Sequence, residues 1–293
     1  MDLPLVGVGL PYVGPHASPD AIAAVARAAD RLGYHSVSVS DRLLVPAHEG
    51  WANDFGLPEH ASYDPIETLT WAAAATERVR VRTDVLVPLF QSPVVLARRL
   101  ATLDHFSRGR LDVGVARGWL HEEFVATGVP EGDRGGAFEE SVGALRACWG
   151  PDPVTFAGRH VCVPTSLVGP KPYGGRRIAV QVGGLARPAV ERAARIGDGL
   201  TVAFRNWEDT AEQVAWWRDA GGTGPLTVKA GPMLADAEHA APPVTWTPDH
   251  LLDSLARIAE WGVHQLVWDL NIVATPVDEQ VALLTDLAPA LVR

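Results

Sequence analysis

A single carboxylate interrupts a long β-branched run: Asp84 sits inside RVRVRTDVLVP, among Val79, Val81, Val85 and Val87. Burying an ionised carboxylate is costly unless it is hydrogen-bonded or faces a polar cavity. A ligand-facing role is therefore the favoured reading of Asp84, and an ion pair with Arg80, Arg82 or Arg117 is the structural alternative. A second candidate is Gly183-Gly184, which enters a helix and is followed by Arg187. Glycine permits close backbone approach, a helix N-terminus offers free N–H groups, and the arginine adds positive charge, so an anion such as phosphate fits. A lone GG pair is a weak signal, and a tight turn without ligand carries equal weight from this stretch alone. No GxSxG, HExxH or P-loop occurs, so acyl and phosphoryl transfer have no positive support. An anion site, stacking aromatics and few acid–base groups suit chemistry carried by a bound cofactor.

These residues need a scaffold that brings distant segments together. The stretch from Arg78 to Phe124 reads as strand, helix, strand and the start of a further helix. Its helix opens at Ser92-Pro93, carries Leu96, Leu100 and Leu103 on one face, and stops at Gly109. The same alternation extends along the chain. Strands are predicted at Leu3–Leu10, Ser36–Ser40, two within Arg78–Val115, then Ile178–Val182, Leu200–Phe204, Leu226–Met233 and Gln265–Leu270. Five helices open with Ser, Thr or Asp followed by Pro: Ser18-Pro19, Asp64-Pro65, Ser92-Pro93, Thr247-Pro248 and Thr275-Pro276. Residues 129–177 interrupt the repeat with a helix at Arg134–Trp149 and a hairpin of Val154–Phe156 and His160–Val163. Eight strands alternating with eight helices close most simply into a (β/α)8 barrel, one domain over residues 1–293 with an insertion at about 129–177. An open doubly wound sheet is the runner-up, but no GxGxxG follows the first strand.

Barrel sites lie at the C-terminal ends of the strands. That rule selects Tyr12 and His16, Asp41 and Arg42, Asp84 and Gln91, Arg117 to Trp119, Gly183 to Arg187, Arg205, and Trp268, Asp269 and Asn271. The loop from Asp41 to Tyr63 is far longer than a usual connection and is expected to be functional. Its His48, Glu49, Asp54 and His60 match no compact metal motif, and a solvated loop is the better reading. Ten tryptophans are mostly packing residues; Trp51, Trp119, Trp207 and Trp268 fall near strand ends or loops, where planar ligands can stack.

The 293 residues are 47% hydrophobic and 20% charged, enough for a large core and unlike a disordered chain. A net charge of −10 argues against a nucleic-acid partner. No apolar run reaches the ~20 residues of a membrane span, and MDLPLVGVGL lacks a basic leader, so a cytoplasmic location is expected. Cys148 and Cys162 show no CxxC or CxxH spacing, which favours neither a disulfide nor zinc.

Six stretches carry a resemblance. RVRVRTDVLVPLFQSPVVLARRLATLDHFSRGRLDVGVARGWLHEEFVATGVP, LGYHSVSVSDRLLVP, YDPIETLTWAAAATERVRV, RGGAFEESVGALRACW, GPKPYGG and AVQVGGLARPAVERAARIGDGL resemble the luciferase-like monooxygenase superfamily, in particular its F420-dependent (deazaflavin) oxidoreductases. The resemblance implies a (β/α)8 barrel, a homodimer, and a flavin or deazaflavin ring in the barrel mouth. It implies ring contacts at Asp41, Arg42, Thr83, Asp84, Val85, Arg117 and Gly118, and a phosphate loop at Gly183, Gly184, Leu185 and Ala186. It also implies a bulge with a cis non-proline peptide at or beside Asp84-Val85. Where many deazaflavin relatives have Asp-His after strand two, this chain has Asp41-Arg42. Arginine holds its charge at neutral pH, so it pairs with an anionic ring or substrate rather than exchanging a proton.

Three functions follow as expectations. The first is F420-dependent hydride transfer to or from a small organic substrate, with Asp41, Arg42 and Arg117 as the catalytic set. The second is an FMN-dependent monooxygenase. The third is a barrel without redox work that performs a cofactor-free isomerisation or cyclisation, or only binds a ligand.

Overall fold

A computed structural model of the chain describes residues 3–51, 62–231, 248–273 and 275–292. In chain order it runs β1 Leu5–Gly9, α1 Pro19–Leu32, β2 Ser36–Val39, α2 Pro65–Ala74, β3 Arg80–Leu86, α3 Pro93–Phe106, β4 Leu111–Val115, α4 His121–Thr127 and α5 Arg134–Trp149. It continues with β5 Val154–Ala157, β6 Cys162–Ser166, β7 Val180–Gly183, α6 Arg187–Ile196, β8 Gly199–Ala203, α7 Trp207–Asp219, β9 Leu226–Ala230, α8 Pro248–Glu260, β10 Gln265–Trp268 and α9 Val277–Leu291. Eight strands form a closed barrel in the order β1-β2-β3-β4-β7-β8-β9-β10, every neighbouring pair parallel. The expected (β/α)8 barrel is what the chain forms.

Strand β2 shows how the sequence builds the barrel. In SVSV the valines at 37 and 39 are fully buried in the hydrophobic core, and Ser36 and Ser38 are buried as well. Period-two alternation sends the two residue types to opposite faces. The inward face is unusually polar for a fold whose interior is ordinarily packed with branched apolar side chains. Gln265 donates to Ser36 at 2.6 Å, and Arg82 and Thr227 both donate to Gln181, at 2.8 and 3.0 Å. Glycine on β1 makes room for this filling: a Cβ at Gly7 would lie 2.3 Å from Ser36 Oγ, and one at Gly9 2.6 Å from Asp269 Oδ1. Much of the polar interior is therefore hydrogen-bonded across strands, which is the condition for tolerating it; Ser38 Oγ, Arg82 Nε and Asp84 Oδ2 are buried without a partner among the described residues.

The helix-opening device works at two of the described sites and fails at two. Ser18 accepts from Ala21 N–H at 3.1 Å, and Asp64 accepts from Ile66 N–H at 2.9 Å. Ser92 makes no such bond, and α9 starts only at Val277 behind Pro276; Thr247 lies outside the described residues. Proline alone pre-sets the first turn there. Glu67 does not complete a capping box at Asp64; its carboxylate instead meets Arg99 Nη2 of α3 at 2.5 Å.

The insertion between β4 and β7 contains α5, with the bounds its pattern predicts, and the β5–β6 hairpin. The hairpin differs from expectation: its second strand begins at Cys162, not His160, and pairs Phe156 with Val163. The cause lies on α5, where the Glu140 carboxylate accepts from the N–H groups of Arg159, His160 and Val161 at 2.9, 2.6 and 2.9 Å. Residues held by that carboxylate are unavailable for ladder pairing.

Candidate active site

The strand ends converge on one charged cluster at the barrel mouth. Lys229, near the end of β9, places Nζ 2.9 Å from Asp269 Oδ2, with 15% of the lysine side chain and 3% of the aspartate side chain exposed. Asn271 fixes the other carboxylate oxygen through its backbone N–H at 3.0 Å and its Nδ2 at 2.8 Å, and anchors itself to Leu10 O at 2.6 Å. Burial alone would push the lysine pKa down, but Asp269, Tyr12 and Asp84 together hold it above its ordinary value. Burial would likewise push Asp269 up, and Lys229 with Asn271 brings it below the usual carboxylate range. Both groups are thus charged at neutral pH.

Ser40 joins this ion pair to the neighbouring strand. Lys229 Nζ donates to Ser40 Oγ, and Ser40 Oγ donates to the main-chain oxygen of Asp84 at 2.8 Å. The Asp84-Val85 peptide is cis, and the β3–β4 register shifts between Thr83 and Leu86. This is the bulge that the resemblance implies, at the position it implies. Thr201 donates to Asp84 Oδ1 at 2.9 Å and Arg82 Nη2 approaches the same oxygen at 3.5 Å, whereas Asp84 Oδ2 is buried and has no partner among the described residues. The ion pair with Arg82, the structural alternative, is present at one oxygen, and the other oxygen has no partner among the described residues.

Next along the rim, Asp41 Oδ2 accepts from Val87 N–H at 3.1 Å, and burial pushes its carboxyl up to about 6. Arg42 is half-buried, with Nη1 enclosed and unpartnered among the described residues. Glu123 of α4, a residue that sequence reasoning missed, is buried, accepts from Leu43 N–H at 2.8 Å and faces Arg42 electrostatically. Burial raises the Glu123 pKa, with Arg42 and backbone donors opposing. Tyr12, three residues beyond β1, is 7% exposed; burial raises its phenol pKa, with Lys229 opposing and Asp269 adding to the rise.

The other expected contacts divide. Val85 lies against two glycines: a Cβ at Gly114 would come 3.3 Å from Val85 Cγ1, and one at Gly183 would meet the same atom at 3.3 Å and Ala116 Cβ at 3.1 Å. Gly184 packs so tightly on α6 that a Cβ there would lie 2.9 Å from Ala189 Cβ. Leu185 and Ala186 are exposed, and Ala186 caps α6 without a side-chain bond. The first turn of α6 so opens on bare backbone, the arrangement that binds anions. Arg187 is turned to Glu191 at 2.8 Å instead. Thr83 is bonded in both directions to Gly114, at 2.9 Å each, so its hydroxyl is committed to the β3–β4 join. Gly118 has φ of +84°, and a Cβ there would meet Val87 and Phe124 at 3.0 Å. Arg117 is exposed, unlike Arg42. Of the tryptophans expected near the mouth, Trp268 is buried with Nε1 unpartnered among the described residues, Trp119 is 53% exposed, and Trp207 packs edge-on against Phe204 and Trp261. Among the described residues no group of His, Cys, Asp and Glu is placed to hold a metal; His60 and Asp54 lie outside them.

This geometry has known counterparts. The model of the luciferase-like monooxygenase family matches residues 5–241. The chain belongs to the luciferase-like monooxygenase family. An uncharacterised protein of Mycobacterium tuberculosis is 32% identical over 265 residues, covering 85% of this chain and 86% of that one. The F420-dependent glucose-6-phosphate dehydrogenase of Nocardia farcinica is 34% identical over 192 residues, 62% of this chain and 52% of that one. The FMNH2-dependent dimethylsulfone monooxygenase of Pseudomonas putida is 35% identical over 161 residues, 54% and 44% of the two chains. Among solved structures, the monooxygenase RslO1 from Streptomyces bottropensis superposes with a TM-score of 0.80 at 24% identity, covering 98% of both chains. An F420-dependent secondary alcohol dehydrogenase gives 0.77 at 18% identity, covering 100% of both. The family thus contains F420- and flavin-dependent oxidoreductases and monooxygenases, and this chain is an enzyme of that kind. Among the described residues no helix is long and apolar enough to cross a membrane.

Proposed function

We propose that the barrel mouth binds the deazaflavin F420 and that the enzyme transfers hydride to or from a small organic substrate. The observation that carries this reading is the β3 bulge at Asp84-Val85. There a buried carboxylate oxygen, Asp84 Oδ2, has no donor among the described residues, and the adjoining Val85 side chain packs against Gly114 and Gly183. An unpartnered buried acceptor is costly, and a planar ring carrying N–H groups supplies the donor. Asp84, Val85 and Gly118 would hold the ring side, with Thr83 fixing the strand behind them; Gly183, Gly184, Leu185 and Ala186 would take the phosphate on the open first turn of α6.

When bound, the reduced deazaflavin supplies a hydride from its C5 to an electron-poor carbon. The chain's own groups orient and balance charge. Arg42 sets a fixed positive charge at the mouth, where it can pair with an anionic ring or substrate. Asp41, with its pKa near neutrality, can hold or release a proton at its carboxyl oxygen. Arg117 would act from the outer rim.

The identity with the P. putida enzyme favours FMN as a second reading, with reduced flavin and oxygen as reactants. Titration of the purified protein with F420 and with FMN, each oxidised and reduced, decides between them by absorbance and fluorescence. Tight binding of F420 alone supports the first reading and of FMN alone the second. Binding of neither sinks both and leaves the cofactor-free barrel.

A further inference from the structure

Strand β2 ends where the β3 bulge begins. The two strands pair in register up to Val39 and Thr83, so one further step would set Ser40 opposite Asp84. The paired residues stop there, and the β3–β4 register shifts between Thr83 and Leu86. A bulge leaves main-chain groups without ladder partners. At Asp84 a side chain takes the place of the ladder: Ser40 Oγ donates to the Asp84 main-chain oxygen at 2.8 Å and accepts from Lys229 Nζ. The lysine reaches Ser40 from β9, which β10 and β1 separate from β2 around the barrel. Its other anchor is Asp269 Oδ2 at 2.9 Å, and Asn271 holds the second oxygen of that carboxylate.

We infer that Lys229 is a positioning residue for Asp84, acting through Ser40 on the Asp84 main chain, and the inference rests on the reading that the mouth ligand donates to Asp84 Oδ2. A serine hydroxyl carries one proton and two lone pairs. With the ammonium donating to it, the hydroxyl is oriented to give its own proton to the Asp84 oxygen, and hydrogen bonds chained in this way strengthen one another. The Asp84 side chain is gripped separately: Thr201 donates to Oδ1 at 2.9 Å, and Arg82 Nη2 stands 3.5 Å from the same oxygen. Residue 84 is thus fixed at its main chain and at one carboxylate oxygen. Oδ2, buried and without a partner among the described residues, is left as an acceptor at a set place. An acceptor fixed before the ligand arrives lowers the ordering cost of binding.

The two anchors of Lys229 separate two roles. Its bond to Asp269 neutralises a buried charge and serves the stability of the barrel, whereas its bond to Ser40 leads to Asp84. Replacing the ion pair as a unit, Lys229→Met with Asp269→Leu, removes the relay without leaving a buried charge. Ser40→Ala removes it and leaves the ion pair in place.

Two readouts on the full-length protein test the relay. The first, amide hydrogen exchange followed by NMR, needs no coenzyme. Asp41 N–H donates to Val85 O at 3.1 Å, beside the held residue, and Val81 N–H donates to Arg110 O at 3.0 Å at the other end of β3. Ser40→Ala and the ion-pair replacement should each lower the protection of Asp41 about tenfold more than that of Val81, the loss of about one hydrogen bond. Combining them should add nothing to that local loss, because the relay is already cut. The second readout is affinity for F420 and FMN: whichever coenzyme the wild type binds should bind about tenfold more weakly in each variant, again without additivity. Asp41 protection that is unchanged, that falls only as far as Val81, or that falls additively would overturn the inference. A wild type that binds neither coenzyme, with the local and non-additive loss at Asp41, sinks the coenzyme reading and leaves the relay to Asp84 standing. Coenzyme binding that all the variants keep sinks the positioning role alone.

Discussion

Lys229 Nζ and Asp269 Oδ2 stand 2.9 Å apart at the top of the barrel, brought together by adjacent strands β9 and β10 from positions forty residues apart in sequence. Removing one partner of such a pair leaves a buried charge uncompensated, which typically costs about 3–5 kcal/mol. Lys229→Met should therefore destabilise the protein by about that amount in urea unfolding at pH 7. The double variant Lys229→Met with Asp269→Leu should recover much of the loss. Equal destabilisation by single and double variants would mean that the pair is not the source of the cost.

Asp41 offers a pH signature. Burial raises its folded-state pKa to about 6, above the ~3.9 of an unfolded aspartate. Between these values the folded state binds more protons, so the contribution of Asp41 to stability is fully present below about pH 4 and is lost as pH rises through 6. Asp41→Asn keeps an acceptor for Val87 N–H and removes the titration. The variant should gain up to about 2–3 kcal/mol relative to wild type at pH 8, and the advantage should shrink toward zero at pH 4. Urea melts at the two pH values measure this, and a gap independent of pH would refute it.

The barrel was legible because its signal is local: apolar strands of four to seven residues, helices at 3.6-residue spacing, and short connections. The bulge at Asp84-Val85 was legible through family resemblance, since nothing in RTDVLVP by itself specifies a cis bond. What sequence reasoning missed is what closure alone brings together. Lys229 lies in LTVKA, where one cation in an apolar strand was the available signal. Glu123 looks like an ordinary polar residue at the start of α4 until the fold sets it beside Arg42. The hairpin boundary slipped because a side chain on another element, Glu140, took the turn's N–H groups. Ser92 illustrates the limit of local rules: its proline opens a helix that its hydroxyl does not cap.

Gly184 makes a prediction about packing and binding together. A methyl group there would sit 2.9 Å from both the Cβ and the carbonyl carbon of Ala189 and 3.0 Å from Val190 N. Overpacking of this kind costs about 1–3 kcal/mol, and here its relief would move the first turn of α6. Gly184→Ala should lower the melting temperature and weaken binding of whichever coenzyme the wild type takes. A control, Gly128→Ala, has nothing within 4 Å of the added carbon but a φ of +69°, so it should lose stability and keep coenzyme affinity. Equal loss of affinity in the two variants would show that the effect is general instability.

The expected homodimer leads to the α2–α3 face. Trp71 and Phe106 are 51% and 61% exposed and line a groove of about 500 Å³ with Val95, Arg98 and Glu67. Exposed aromatics grouped in this way mark association surfaces more often than solvent-facing ones. The same face carries both signs of charge, with Arg99 against Glu67 at 2.5 Å and Arg98 exposed beside them, so two copies related by a two-fold axis can oppose unlike charges. Trp71 Nε1 donates to Pro19 O at 3.0 Å, which fixes the orientation of the exposed indole. Sedimentation analysis of the wild type should give a mass near 63 kDa, about twice the 31.3 kDa chain. Phe106→Glu together with Trp71→Glu should return it to one chain while the far-ultraviolet dichroism stays unchanged. A double variant that remains dimeric would place the interface elsewhere, and a monomeric wild type would remove the dimer altogether.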